Sequence, residues 1–156
     1  MMTFDAMEQL NFERYSFKIK NRENKPYIFD IIRKKEVVLT PEEWVRQHCV
    51  HFLIHNKHYP IGWINVEKQI ELYGTQKRYD IVVFSPTGGI EILVECKAPN
   101  VKITQATFDQ IAQYNLNLKS NYLMVTNGIH HYYSQMNFEQ GKFHFLKDLP
   151  KHASSL

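Results

Sequence analysis

The sequence of 156 residues contains only two cysteines, Cys49 and Cys96, which stand far apart in the chain. Two isolated cysteines give neither a disulfide framework nor a paired metal pattern, so the simplest setting is reduced and intracellular, and the expected localisation is cytoplasmic. Long hydrophobic runs are missing. No apolar stretch reaches the roughly eighteen residues that a membrane helix needs. The opening, MMTFDAMEQLNFERYSF, lacks the apolar core of a signal peptide, so no membrane association is expected. There is no G-x-x-x-x-G-K-[ST] loop, which excludes a P-loop ATPase, and no G-x-G-x-x-G opening a helix, which excludes an ordinary dinucleotide site. ATP is not an expected partner. A large excess of one charge is also lacking, since 19 Lys and Arg stand against 16 Asp and Glu, a formal charge of +3. That balance permits a polyanionic partner without requiring one.

What is present is ordinary globular material, 44% hydrophobic and 22% charged. This length suits a single domain over residues 1–156. Its expected parts are an N-terminal arm or peripheral strand over 1–26, a core over 27–149 and a tail over 150–156. His48, His51, His55 and His58 have helical spacing but no H-E-x-x-H pattern. They read as solvated or groove-lining side chains rather than zinc ligands.

Residues 27–39, YIFDIIRKKEVVL, place two apolar stretches around a charged centre, which suggests a hairpin or bent strand. Thr40-Pro41-Glu42-Glu43 then opens a helix over roughly 41–55: Thr40 can cap, Pro41 suits the first helical position and Glu43 can reach back to the cap amide. From Ile64 to Leu72 the period changes to the alternation of a half-buried strand. Residues 79–85 and 90–97 are two more strands, joined as an antiparallel hairpin through Pro86-Thr87-Gly88-Gly89. Thr104 caps a second helix over 105–119, with Phe108, Ile111, Ala112 and Asn115 inward. Tyr122–Thr126 is a short buried strand, and weaker strands lie around His131–Ser134 and Lys142–Leu146. The fold class is therefore mixed α/β, a central mixed sheet flanked by helices, in the order α-β-β-β-α-β with extra strands at both ends.

The chemistry concentrates between Tyr79 and Tyr114. Side chains alternate along a strand, so Glu95 and Lys97 share one face while Cys96 points to the other. With the turn centred between Thr87 and Gly88, Asp80 falls opposite Glu95, their Cβ atoms about 4.5–5.5 Å apart. Two such carboxylates repel unless a cation neutralises them, and Mg²⁺, which favours carboxylate and water oxygens, is the natural one. The bland reading is a solvent-facing salt bridge, Glu95 with Lys97 or Asp80 with Arg78. The apolar flanks, ILVECKAP, argue against it.

Asp80 followed by Glu95-Cys96-Lys97 after a hydrophobic strand resembles the D…E-x-K signature of the PD-(D/E)XK nuclease superfamily. More narrowly, LTPEEWVRQ (39–47), RYDIVV (78–83) and LVECKAPN (93–100) resemble the N-terminal nuclease domain of type I restriction enzyme R subunits, over about Asp30 to Leu149. That resemblance implies a restriction-endonuclease-like core. It implies Mg²⁺, with Mn²⁺ able to substitute, held by Asp80, Glu95 and the main-chain carbonyl of Cys96, and Lys97 as catalytic lysine. Gln110 and Tyr114 correspond to the family's Q-x-x-x-Y element near the site, and four-residue spacing does put them on one helix face. Glu43 is ambiguous: in many superfamily members an acid on the first core helix touches the metal, but here the cap is the preferred role.

Candidate contacts to DNA are Lys77, Arg78, Lys102, Arg33, Lys34, Lys35 and Arg46, since Lys and Arg give sequence-independent affinity for phosphate. The leading expectation is a Mg²⁺-dependent DNA nuclease without the ATP-driven motor of a complete R subunit, acting alone, as a homodimer or with a targeting partner. The alternative is a catalytically inactive nucleic-acid-binding or assembly module of the same fold. Self-association through Trp44, Trp63 or the aromatic stretch from Tyr132 to Phe145 is a third reading, although such aromatics are more often core.

Overall fold

Thr40 and Pro41 start the first helix in the manner their chemistry dictates. In a computed structural model describing residues 7–152, Thr40 is extended, its Oγ1 accepts the Glu43 amide at 3.1 Å, and Pro41 is the first helical residue. Residues 1–6 of the expected arm and 153–156 of the expected tail lie outside the described residues. Helix α1 spans Pro41–His51 and runs on into a single π-helical turn, Phe52–Asn56. Helix α2, Gln105–Asn115, is capped likewise by Thr104, which accepts the Thr107 amide.

Upstream, β1 (Ile19–Arg22), β2 (Lys25–Asp30) and β3 (Lys35–Val38) form a small antiparallel sheet, so the expected hairpin over 27–39 gains a third strand from the arm. The main sheet has β4 (Ile64–Leu72), β5 (Thr75–Phe84), β6 (Ile90–Cys96), β7 (Tyr122–Thr126), β8 (His131–Asn137) and β9 (Lys142–Leu146), in that spatial order. Every neighbouring pair is antiparallel except β6 and β7, the parallel pair connected through α2. This mixed sheet with α1 and α2 is the restriction-endonuclease-like order expected from the sequence.

The sheet separates two cores. Ile81, Val83, Ile92, Val94, Cys96 and Met124 pack with Val45, Cys49 and Leu53 of the α1 segment. Tyr79, Val82, Leu93, Leu123 and Val125 pack with Phe108 and Ala112 of α2. Strands β6 and β7 are buried on both faces, which is why they read as continuous apolar runs. The β7–β8 turn uses Asn127-Gly128. Gly128 has φ +87°, and a Cβ there would stand 2.9 Å from Leu10 of the arm and 3.1 Å from Val45. The arm is thus laid against α1: Leu10 is buried, the Asn11 amide donates to the Gly128 carbonyl, and Phe12, Tyr15 and Phe17 pack against the ring of His48. His48 and His51, expected to be solvated or groove-lining, are buried; burial, reinforced by His55, pushes His51 down to about 4. Among the described residues no helix is long and apolar enough to cross a membrane.

Candidate active site

Beside the turn Phe84 pairs with Ile90, one residue off the expected register, and a shift between Val83 and Phe84 brings the hairpin into it, pairing Ile81 with Val94, Val82 with Leu93 and Val83 with Ile92. One more step of that register sets Asp80 against Glu95. The β4–β5 ladder, however, pairs Val66 with Ile81 and Lys68 with Tyr79 while omitting the step between, where Glu67 faces Asp80. Glu67 has φ 57°, a left-handed conformation that a non-glycine residue adopts at a cost of about 1–3 kcal/mol. The irregularity breaks the alternation. Tyr79 and Ile81 would share a face in a regular strand, but here they enter opposite cores. Asp80 sits at the break, and its side chain turns toward α1 and the end of β6.

Asp80 is fully engaged. Its Oδ1 accepts Arg46 Nη2 at 2.8 Å and its Oδ2 accepts the Cys96 amide at 2.8 Å. Arg46 also bonds Glu43 Oε1 at 2.7 Å and pairs with Glu67 at 2.9 Å. Burial works against its charge, but Glu43 and Asp80 outweigh burial, and the guanidinium holds its proton more tightly than usual. Glu43 in turn accepts Arg33 Nη2 at 2.8 Å and Gln47 Nε2 at 3.1 Å, and the Arg33 Nε bonds Asp30. Five ions of alternating sign, Asp30, Arg33, Glu43, Arg46 and Asp80, therefore run from the small sheet through α1 to the site. Asp30 is wholly buried, yet Arg33 and the Ile32 amide overcome that burial and hold its carboxyl below the usual range.

Glu95 has the opposite surroundings. Only 9% exposed, it has a buried Oε1 with no hydrogen-bond partner. Lys77 Nζ approaches that oxygen at 3.4 Å, an ion pair too long for a good hydrogen bond. Burial raises the Glu95 carboxyl above its ordinary range and Asp80 adds to the rise, while Lys77 and Lys97 oppose it. Lys77 itself lies 4.8 Å from the Tyr79 ring centre and 4.6 Å from that of Tyr114. Lys97 follows the end of β6, its amide donating to the Thr126 carbonyl at 2.8 Å, and it is half-buried. Cys96 points the other way, into the α1 core, where its Sγ lies 3.9 Å from Cys49 Sγ.

Residues 41–150 match the family model for the type I restriction enzyme R protein N terminus (HSDR_N). The chain belongs to that family. No curated protein matches it. The match covers α1, α2 and the whole main sheet and leaves out β1 to β3, so Asp30 and Arg33 extend the ion chain beyond the segment that this R-protein N-terminal family defines.

Within this domain, Asp80, midway along β5, meets the end of β6, where Glu95 and Lys97 flank the Cys96 amide that it accepts, and Tyr114 joins them through Lys77. Gln110 lies one turn before Tyr114 on α2 and is exposed. Several other expectations need correction. Glu43 does not reach back to the cap amide; its carboxylate is committed to Arg33, Arg46 and Gln47. Arg33 and Arg46, expected to contact DNA, are paired with acids, Arg46 buried and Arg33 half-buried. Lys34, Lys35, Arg78 and Lys102 are exposed, with Arg78 3.3 Å from Glu67. Glu42, which the sequence does not single out, lies within electrostatic reach of the site: burial first and Asp80 next raise its carboxyl, with Arg46 and Lys97 opposing.

The donor set suits a hard divalent cation. Among the described residues no group of three His, Cys, Asp or Glu side chains could hold a metal. Mg²⁺ needs fewer, since it commonly keeps several waters and takes one or two carboxylates. Glu95 Oε1, buried with no hydrogen bond and only a loose ion pair to Lys77, is the acceptor that such a cation would satisfy.

Proposed function

We propose that this chain is a metal-dependent nuclease that hydrolyses phosphodiester bonds in DNA, with Asp80, Glu95 and the Cys96 carbonyl holding Mg²⁺ or Mn²⁺. The observation that carries this reading is the buried Glu95 carboxylate, within electrostatic reach of Asp80, Lys77 and Lys97, whose Oε1 has no hydrogen bond and only a 3.4 Å ion pair to Lys77. A buried acceptor without a hydrogen bond costs about 1–3 kcal/mol and calls for an explanation. A bound divalent ion supplies positive charge at a phosphate oxygen and a water of lowered pKa. The rest is done by side chains. Lys97 orients the attacking water or a phosphate oxygen. Lys77, held between two tyrosine rings, keeps an ammonium at the mouth of the site. Gln110 and Tyr114 bound the α2 side and Glu42 the α1 side. Water adds to phosphorus as the bond to the leaving sugar oxygen breaks, and that oxygen takes up a proton. Exposed Lys34, Lys35, Arg78 and Lys102 add sequence-independent attraction to the DNA backbone.

One observation favours a second reading, an inactive nucleic-acid-binding module. Arg46 and the Cys96 amide already satisfy Asp80, so that half of the site is stable without a metal. Incubating the purified protein with supercoiled and linear DNA in Mg²⁺ or Mn²⁺ separates the two. Cleavage is expected, and Lys97→Ala should abolish it. A protein that cuts with neither ion, or a Lys97→Ala variant that cuts like wild type, removes the nuclease reading. Salt-sensitive DNA binding indifferent to chelator and to Glu95→Ala supports the module.

A further inference from the structure

Tyr73 stands where the fold has least use for it. Strands β4 and β5 close by pairing Leu72 with Thr75, leaving Tyr73-Gly74 as a two-residue loop with φ values of 55° and 77°. Hairpin loops with two left-handed residues strongly favour Asn-Gly or Asp-Gly, and a bulky side chain at the first position is sterically disfavoured. Burial does not explain the tyrosine either, since it is 57% exposed. Its ring meets that of Tyr114 edge-on, with centres 5.2 Å apart and planes at 67°, and its hydroxyl donates to the Tyr114 carbonyl at 3.2 Å. Tyr114 is itself 37% exposed, and Lys77 links it to Glu95, 4.6 Å from the one and 3.4 Å from the other. A continuous path thus leads from the carboxylate through an ammonium to an open aromatic tip.

We propose that Tyr73 and Tyr114 form a stacking ledge for an unpaired base of single-stranded DNA, with the adjoining phosphate directed to Lys77. The proposal rests on the nucleic-acid reading of the site and narrows its substrate to single-stranded, frayed or gapped DNA. In a continuous duplex each base face is covered by its neighbours. An unpaired base offers a free π-face, and stacking on an aromatic side chain needs no particular sequence. Lys77 supplies the charge that a phosphate one step from such a base would meet. The strained turn fits this role as well, because unusual backbone conformations held by non-glycine residues concentrate at ligand-binding positions.

Tyr73→Asn makes a decisive test, because asparagine suits the left-handed position better than tyrosine does. The variant should melt at or above the wild-type temperature and still lose the ring. Fluorescence titrations in EDTA, with a short single strand carrying 2-aminopurine, read stacking directly. Wild type and Tyr73→Trp should quench the probe, and Tyr73→Asn should bind about fivefold to 100-fold more weakly, the loss expected for one stacked base. Affinity for the matching duplex should change less than about twofold. Three outcomes overturn the proposal: single-strand affinity unchanged by Tyr73→Asn, an equal loss for duplex, or no binding by wild type. A variant melting more than about 3 °C lower would also do so, assigning the tyrosine to the hairpin itself. Ring-dependent binding tenfold tighter for RNA overturns the assignment to DNA. Because no metal is present, quenching that survives in a protein unable to cut removes only the nuclease reading, and cutting without ring-dependent quenching removes only the ledge.

Discussion

Asp80, midway along β5, and Glu95, at the end of β6, have contrasting partners. Asp80 accepts a guanidinium and a backbone amide and terminates an ion chain anchored on wholly buried Asp30. Glu95 lies deep, with an Oε1 that has no hydrogen bond and only a loose ion pair to Lys77. The difference separates two kinds of work. The α1 side is a network of paired ions that fixes one carboxylate in place. The α2 side has only a long ion pair and aromatics around an acid that gains from any further positive charge. A site that needs one rigid donor and one adaptable donor is built most simply from two such halves.

The largest expected effect comes from breaking the ion-paired half. Arg46→Met leaves Glu43, Glu67 and Asp80 without their shared cation in a buried setting, and removing one partner of a buried ion pair costs about 3–5 kcal/mol. For a chain of this length that lowers the melting temperature by roughly 10 °C. Lys77→Ala, on the open half, should cost less than about 1 kcal/mol, because its ion pair is long and partly solvated. Equal losses for the two variants in thermal melts would erase the distinction between the halves.

Next in size is a difference of sign. In metal-free buffer at neutral pH, Asp80→Asn should destabilise by about 1.5–3 kcal/mol, since an amide cannot serve both donors as a carboxylate does. Glu95→Gln should instead stabilise by about 1 kcal/mol, because it removes the charge that burial penalises. The pH dependence follows from the raised Glu95 carboxyl. The native state keeps that proton where the unfolded chain has lost it, so the group favours folding below the unfolded value of about 4.3. The benefit fades as pH rises through the higher native value. Wild type and Glu95→Gln should therefore converge in stability near pH 4 and separate toward pH 7. Adding Mg²⁺ at about a hundred times its dissociation constant should stabilise wild type by about 2.7 kcal/mol and neither variant. Denaturant melts with and without EDTA measure all of these.

The elements that carry the site were largely legible because their signals are local. Thr40-Pro41 starts α1, and Pro86-Thr87-Gly88-Gly89 turns β5 back onto β6, although the register shift between Val83 and Phe84 has no signal in the sequence. What stayed hidden was tertiary. Nothing in a Lys/Arg cluster states whether it faces water, so Arg33 read as surface although it closes onto Asp30 and Glu43. Glu42 and Glu43 are adjacent, and a helix turns about 100° per residue, so only the docked rotation of α1 decides which of them bonds Arg46. One signal was available: Arg46 follows Glu43 by three residues on a helix whose Val45 and Cys49 are core, a spacing suited to an internal pair. The start of β5 at Thr75 rather than residue 79 was missed because Tyr73-Gly74 lacks the usual Asn-Gly signature of a tight hairpin.

The finest test of the contrast concerns the start of α1, where one residue was expected to serve a cap and proves to serve the ion chain. A capping box works with glutamine as well as glutamate, because either side chain can accept the cap amide. If Glu43 acted there, Glu43→Gln would be nearly silent. Its carboxylate instead takes two guanidiniums and a glutamine amide, so glutamine would lose the charge that holds Arg33 and Arg46 together. That substitution should cost clearly more than Thr40→Ala, which deletes only the acceptor of the Glu43 amide and should cost about 1 kcal/mol. The order of the two in parallel urea melts decides whether the acid belongs to the helix terminus or to the network behind Asp80.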